Sequence, residues 1–186
     1  MSRSRPYHHG DLRPALLRAA AGTIDEVGAA AMSVREVARR AGVSHTAATY
    51  HFGDKAGLLT ALAAEGYQLL GEALAAARHE HGSFLEVGVA YVRFAVAHRA
   101  HFEVMFQPGL LRTTDPALQE AKRRTAALLY GTTDADDQQV VAGVAAWSLV
   151  HGLATLWLNG NLPPRLGDDP AAITRVVAAR LRVGRR

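Results

Sequence analysis

The stretch after Ser44 carries side chains of the kind that read DNA base edges. A Thr hydroxyl can bond a base edge or a phosphate, and an Ala or Thr methyl can meet the thymine methyl. Lys55 stands in the first turn of a predicted helix, where a cation opposes the helix dipole and does not stabilise the helix. A phosphate contact would explain this position better, so Lys55 is predicted to contact a phosphate; the alternative is a solvated lysine. The predicted DNA-binding residues are Ser33, Arg35, Ser44, His45, Thr46, Ala47, Thr49, Tyr50, His51 and Lys55.

A second group of residues has the character of a cavity for a small, largely apolar molecule. Trp147 and His151 lie four residues apart and therefore share one helix face. A histidine among apolar groups can orient a ligand through one hydrogen bond. The alternative is that these aromatic residues fill the core and that His151 is a hydrogen-bonded core histidine. The predicted ligand-binding residues are Tyr91, Phe94, His98, Phe102, Met105, Phe106, Trp147 and His151.

No pattern in the sequence predicts an enzyme, a cofactor or a metal site. The sequence has no P-loop, no dinucleotide-binding glycine motif, no Gly-x-Ser-x-Gly motif and no cysteine. His98 and His101, with Glu103 nearby, have a spacing that metal ligands use, but no third ligand is defined and a surface or interhelical role is favoured. His8 and His9 are expected on the DNA side of the first helix.

Residues 33–53 have the layout of a helix-turn-helix. Ser33 and Glu36 form a predicted capping box, in which Ser33 starts a short helix and Glu36 bonds back to it. Gly42 allows the left-handed conformation that ends this helix, and Ser44 caps a second short helix. The free N–H groups at the start of that second helix suit a phosphate.

The rest of the sequence predicts further helices, about nine in all, and no strand. The predicted fold is all-α, with a three-helix DNA-binding head at residues 1–53 and a helical ligand-binding and dimerisation body at residues 54–186. Asp11 is expected to cap a first helix that ends at Gly28, and Asp54 a long fourth helix. Other helix starts are predicted at Ser83, Asp115, Asp134 and Asp169.

Composition limits the class of protein. The chain has 186 residues, of which 49% are apolar, so it can bury a sizeable core. The absence of cysteine excludes a disulfide framework and fits a reducing, cytoplasmic location. The apolar stretch at residues 140–158 contains Ser148, His151 and Thr155. A buried helix is therefore favoured over a membrane span, and no membrane partner is expected.

Charge is distributed unevenly along the chain. Residues 1–60 contain eight Arg or Lys and five Asp or Glu, whereas residues 61–174 contain eight and twelve. A basic head on an acidic body predicts a polyanionic partner at the head. The last twelve residues hold five Arg and no acid. This tail is interpreted as a solvated helix end in preference to a second phosphate contact.

Two segments resemble a known family. The segment "SVREVARRAGVSHTAATYHFGDKAGLL" resembles the DNA-binding segment of TetR-family bacterial regulators. The lead-in "YHHGDLRPALLRAA" and the Trp, His and Gly of "WSLVHG" resemble the subgroup with a WHG-type C-terminal domain. The resemblance implies a homodimer with a three-helix DNA head and a body that pairs two subunits and holds a ligand.

The sequence departs from the family at one position. Relatives usually have Tyr five positions after the Ser of "GVS", where this chain has Thr49, and that Tyr touches the phosphate backbone. Tyr50 follows directly, rotated by about 100° around the helix. Which of Thr49 and Tyr50 makes the phosphate contact stays open at this point.

Together the patterns and the resemblance predict a regulator that binds a near-palindromic double-stranded operator as a homodimer, and the resemblance implies a repressor, because repression is the commoner activity in that family. A small-molecule effector would release it by changing the separation of the two reading helices. The helix at residues 140–158 and the last helix are expected to pair two subunits. Two alternatives remain: a ligand-independent architectural DNA-binding protein, and a helical small-molecule-binding protein or enzyme.

Overall fold

The computed structural model describes residues 12–131 and 136–180, and these residues form helices and connecting segments without a strand. Their nine α-helices confirm the all-α prediction. Two short 3-10 segments accompany them at Pro108–Leu110 and Pro164–Leu166. The α-helices are α1 (Leu12–Ala31), α2 (Val34–Arg40), α3 (His45–Phe52), α4 (Lys55–His81), α5 (Phe84–Ala97), α6 (Arg99–Met105), α7 (Pro116–Tyr130), α8 (Asp137–Leu158) and α9 (Pro170–Ala179).

The head is a three-helix unit with a small core. Ser33 and Ser44 cap α2 and α3, each through a side-chain oxygen that accepts a backbone N–H three residues on. Glu36 does not complete the predicted capping box, because its carboxylate pairs with Arg39 and Arg40. Buried apolar side chains join the three helices to the start of α4: Leu16, Leu17, Ile24, Val37, Ala38, Ala48, Phe52 and Leu58.

Helix α1 is kinked at a glycine near its end. Gly28 has φ of 79°, a left-handed value that favours glycine, and it interrupts the helical backbone where the helix was predicted to end, but α1 resumes and continues to Ala31. The Ala29 N–H freed by this kink donates to Glu103 Oε1 at 2.9 Å, which ties α1 to α6. Val27, just before the kink, is 52% exposed. The expected cap Asp11 lies outside the described residues.

The body is a bundle arranged around α4. This helix packs against α5, α6 and α7, and α5 in turn packs against α8 and α9. Buried side chains from each layer meet in one core, among them Leu62, Leu70, Tyr91, Leu118 and Leu153. Since the N-terminal end of α4 also contacts α1 and α3, one continuous helix runs from the head into the body.

The body departs from the prediction at the start of α8. Ser83 stands at the N-cap of α5 as predicted, although its side chain makes no capping hydrogen bond. The start of α8 is capped by Asp136, which accepts from Gln139 N, and the predicted Asp134 lies outside the described residues. Phe84, the first residue of α5, is 48% exposed.

Helix α8 presents a long apolar face to the outside. It is long and apolar enough to cross a membrane, and 22% of its apolar window is buried within the chain. Val141 is 67% exposed, and Val176 on α9 is 62% exposed. On α9, Ile173 is buried and Val177 is half-buried, whereas Val176 is exposed.

Candidate nucleic-acid interface and effector cavity

Fewer side chains of α3 are exposed than the sequence predicts. Ser44 Oγ accepts from Ala47 N at 3.1 Å, so the first turn of α3 is held with its N-terminal end free. The side chains exposed beyond this cap are His45, Thr46, Tyr50 and His51. Ala47 and Thr49 were expected to be exposed but are half-buried, because they turn toward the head core. Tyr50 is 88% exposed.

The arginines of α2 are mostly held by carboxylates. Arg40 donates to both oxygens of Glu26, and Arg39 donates to both oxygens of Glu36. These guanidinium groups lower the pKa of Glu36 to about 2. Arg35 is exposed on the same helix and appears in none of the described ion pairs. Arg35 and Ser33 thus lie at the surface, and their predicted contacts with DNA stay predictions.

Lys55 has a contact that local sequence patterns do not reveal. Its Nζ donates to Ala30 O at 2.7 Å, across 25 residues of chain. The ammonium group therefore satisfies a carbonyl at the end of α1 and joins α1 to α4. This bond accounts for a cation in the first turn of α4, and it leaves the predicted phosphate contact of Lys55 as a prediction.

In the body, one hydrogen-bond chain links Trp147 with His151. Trp147 Nε1 donates to Tyr91 Oη at 3.1 Å, and Tyr91 Oη lies 2.9 Å from His151 Nδ1. Tyr91 Oη thus accepts from Trp147, and the tautomer of His151 sets which of Tyr91 Oη and His151 Nδ1 donates in the second bond. Burial lowers the pKa of His151 and raises that of Tyr91, in agreement with two neutral partners.

Two cavities flank Trp147. The smaller, of about 500 Å³, lies between α4, α7 and the segment that joins α6 to α7, and its lining includes Met105, Phe106 and Trp147 of the predicted set. The larger, of about 950 Å³, lies between α5, α8 and α9 and is lined by Tyr91 and Trp147 of that set. Both volumes are in the range that small-molecule sites occupy.

Four residues of the predicted ligand set line neither of these cavities: Phe94, His98, Phe102 and His151. The rings of Phe94 and His98 stack at 5.0 Å, and Phe102 lies 5.4 Å from His151. Apolar and aromatic side chains serve equally well as core and as cavity wall, so composition alone does not separate the two. Phe102 and His151 lie in the aromatic cluster around Trp147, whereas Phe94 and His98 stack on each other.

Other lining residues were not predicted. The smaller cavity is walled by one face of α7, on which Leu118, Lys122, Ala126 and Tyr130 recur every four residues. That spacing is visible in the sequence and was the available signal. The charged residues that line the two cavities are Arg78, Lys122 and Arg123, and no carboxylate is among the described lining residues.

The histidine cluster on α6 is used for packing and pairing. His101 Nε2 lies 3.0 Å from Glu65 Oε2, while Glu103 accepts from Ala29. Within residues 12–131 and 136–180, no group of three or more His, Cys, Asp or Glu could hold a metal ion. His8 and His9 lie outside the described residues.

Two family models match the chain, and together they span most of it. Residues 16–62 match the model described as "Bacterial regulatory proteins, tetR family". Residues 84–181 match the model described as "Tetracyclin repressor-like, C-terminal domain". The first match contains α2, the turn and α3, and the second contains both the Trp147–Tyr91–His151 chain and the exposed face of α8.

Individual relatives agree with these matches. The chain is 31% identical over 173 residues to the HTH-type transcriptional regulator BetI 2 of Chromohalobacter salexigens, covering 86% of this chain and 81% of the relative. It is 30% identical over 179 residues to BetI of Paraburkholderia xenovorans, covering 87% of each. A solved structure of a protein of unknown function from Rhodococcus sp. RHA1 superposes with a TM-score of 0.77 at 31% identity, covering 95% of this chain and 96% of that one. The chain belongs to the TetR family of bacterial transcriptional regulators.

Proposed function

We propose that this protein is a repressor that binds a near-palindromic operator as a homodimer and is released by a small, largely apolar effector. The observation that carries the proposal is the capped helix α3, whose exposed residues His45, Thr46 and Tyr50 project from a head joined by α4 to a body with cavities. Ser33, Arg35, Ser44, Ala47, Thr49, His51 and Lys55 complete the proposed DNA-binding set. Tyr50 takes the phosphate contact, since Thr49 is half-buried.

The exposed face of α8 and α9 is the proposed dimer interface. Its side chains are apolar or small, including Val141, Val144, Ser148 and Val176. Gly152 lies on the same face, and an added Cβ there would meet nothing within 4 Å inside the subunit. A glycine with open space inside its own chain fits the close approach of a helix from a second subunit. Two-fold proteins read two-fold sites, so a dimer implies a near-palindromic operator.

The cavities beside Trp147 support effector binding over the architectural alternative, which expects a filled body. Met105, Phe106, Tyr91 and Trp147 are the proposed contacts from the predicted set. His151 holds Tyr91 in place behind them through its Nδ1 atom. The assignment to the WHG subgroup rests on Trp147, His151 and Gly152. Tyr91 is hydrogen-bonded to both Trp147 and His151.

The remaining parts of the proposal follow from membership in this family. Catalysis is not part of it, because the family and the named relatives are regulators. The head is taken as residues 1–53 and the body as residues 54–186, and the location as cytoplasmic. The helical enzyme alternative is the less favoured one, because the sequence offers no catalytic motif.

Variants of the head test the DNA interface on a duplex that the wild-type protein selects from a random library. Lys55→Ala should weaken binding to all duplexes by a similar factor and reduce the salt slope by about 0.9 for each of the two phosphate contacts a dimer would lose. Thr46→Val should instead change which duplex is preferred. The matched control is Arg124→Ala, which removes an exposed arginine of α7.

The outcome for Lys55 separates its two roles. A weaker affinity with an unchanged salt slope would assign the lysine to the Ala30 bond alone and contradict the phosphate contact. An unchanged affinity would contradict both roles in DNA binding.

A series of matched probes tests the effector cavity. Decanol and decanoate should raise the thermal unfolding temperature and weaken duplex binding, whereas decyltrimethylammonium should do neither, because the charged lining residues are cations. Ala126→Phe places a ring in the smaller cavity and should remove the response. Ala117→Phe, on an exposed position of α7, is the control that should keep it. A response to all three probes, or one that survives Ala126→Phe, would contradict this cavity.

A further inference from the structure

The segment between α6 and α7 contacts the junction between α3, the proposed reading helix, and α4. Arg112 Nη2 lies 2.9 Å from Asp54 Oδ2, the N-cap residue of α4. The same guanidinium covers Gly53, the residue that ends α3, so closely that an added Cβ there would lie 3.2 Å from Arg112 Nη2. The Arg112 backbone N–H donates to Thr60 Oγ1 at 2.9 Å.

The residues on either side of Arg112 face the smaller cavity. Leu111 and Thr113 line it, as do Phe106 and Pro108 earlier in the same segment. Leu111 is extended, with φ of −113° and ψ of 153°, and successive side chains of an extended chain point to opposite sides. One short segment therefore has a cavity wall on one side and the α3–α4 junction on the other.

The second link between α6 and the head has a different position. Glu103 accepts from Ala29 N at the end of α1, and it lines neither cavity. The nearest lining residue, Met105, lies two positions further along α6. Arg112, by contrast, has a lining residue directly on each side, Leu111 and Thr113.

We propose that Arg112 is a positioning residue: it holds the α3–α4 junction in its DNA-binding orientation and couples that orientation to occupancy of the smaller cavity. An occupant that moves Leu111 or Thr113 displaces Arg112, which loosens its hold on Asp54 and Gly53. The reading helix then loses one of its supports. This inference rests on the proposed function, because it assumes that α3 reads DNA.

The test measures duplex affinity, its salt slope and thermal unfolding for Arg112→Ala, Asp54→Asn and the double variant. Asn is also a good N-cap residue, and the backbone bond to Thr60 survives in Arg112→Ala. Each change therefore removes mainly the side-chain contact between Arg112 and Asp54. We expect each single variant to bind about tenfold more weakly, within the range of about 5–150-fold typical of coupled sites. The double variant should be no worse than either one, because the two side chains act as a pair.

The salt slope and the unfolding temperature distinguish a positioning role of Arg112 from a phosphate contact and from a general role in stability. The salt slope should stay at the wild-type value, because Arg112 is proposed to act on Asp54 and Gly53 and not on phosphate. The unfolding temperature should stay close to that of Arg124→Ala, since an exposed ion pair contributes little to stability. A reduced slope, or effects of the two single variants that multiply in the double variant, would overturn the proposal.

Cavity occupancy is imitated by Ala126→Phe, which needs no knowledge of the natural effector. This substitution should weaken duplex binding in the wild-type background and have little further effect in Arg112→Ala. An equal effect in both backgrounds would show that the coupling bypasses Arg112. Should the wild-type protein select no duplex, the proposed function itself fails; should it select one that the Arg112 and Asp54 variants bind equally well, only this inference fails.

Discussion

Arginine in place of Val176 should convert the protein to monomers and weaken operator binding by on the order of 100-fold or more, since linking two half-site contacts raises avidity by about 10²–10⁴-fold. Val176 is 62% exposed in the subunit, so the isolated chain accommodates the charge. In a dimer the same charge would be buried without a partner, at a cost that an interface does not tolerate. Sedimentation velocity at micromolar concentration measures the first effect and duplex titration the second.

Two further variants make this result interpretable. Val141→Arg on α8 should behave as Val176→Arg does, because both side chains lie on the exposed apolar face. Val27→Arg, which changes a 52% exposed valine of the head, should sediment as the wild type does. If Val176→Arg and Val141→Arg both retain the circular dichroism and the sedimentation coefficient of a wild-type dimer, the α8–α9 interface is wrong.

Alanine in place of Gly57 should lower the free energy of unfolding by about 1–3 kcal/mol or more, the usual effect of forcing an extra group into a packed site. An ideal Cβ at Gly57 would lie 1.9 Å from the backbone oxygen of Phe52, and backbone cannot move aside as a flexible side chain can. The end of α3 must therefore shift away from α4. We expect a lower unfolding temperature and weaker duplex binding together, compared at equal protein concentration.

Gly22→Ala is the matched control for Gly57→Ala. Gly22 lies within α1, where an added Cβ meets nothing within 4 Å, so alanine should stabilise the helix by about 0.5–1 kcal/mol. An unfolding temperature for Gly57→Ala at or above that of Gly22→Ala would contradict the close contact between α3 and α4 on which the orientation of the reading helix depends.

The head could be predicted in most of its parts because its signals are local. Ser33 and Ser44 each stand three residues before the N–H that they cap, and Gly28 and Gly42 both take the positive φ values expected where a helix ends. Burial within α3 was harder to predict. Ala47 and Thr49 differ from their exposed neighbours by about 100° of rotation, and only the packing of α1 and α2 decides which side is covered.

Local sequence patterns predict less of the body than of the head. Phe94 and Phe102 are aromatic residues of the kind that line cavities, but they lie in the core, while Leu118 and Lys122 on α7 line the smaller cavity. Lys55 and Arg112 are explained by partners 25 residues or more away along the chain, Ala30 and Asp54. Contacts of this kind depend on how loops meet helices, and no periodicity in the sequence records them.

The most direct test of the whole account is to select duplexes from a random library with the purified wild-type protein and to sequence what is bound. A dimer that reads DNA through two copies of α3 predicts a near-palindromic consensus whose half-sites are centred about one helical turn apart, roughly 34–36 Å or 10 base pairs. Enrichment of a single asymmetric short motif would contradict the two-fold arrangement, and the absence of any enriched sequence would contradict specific DNA binding itself.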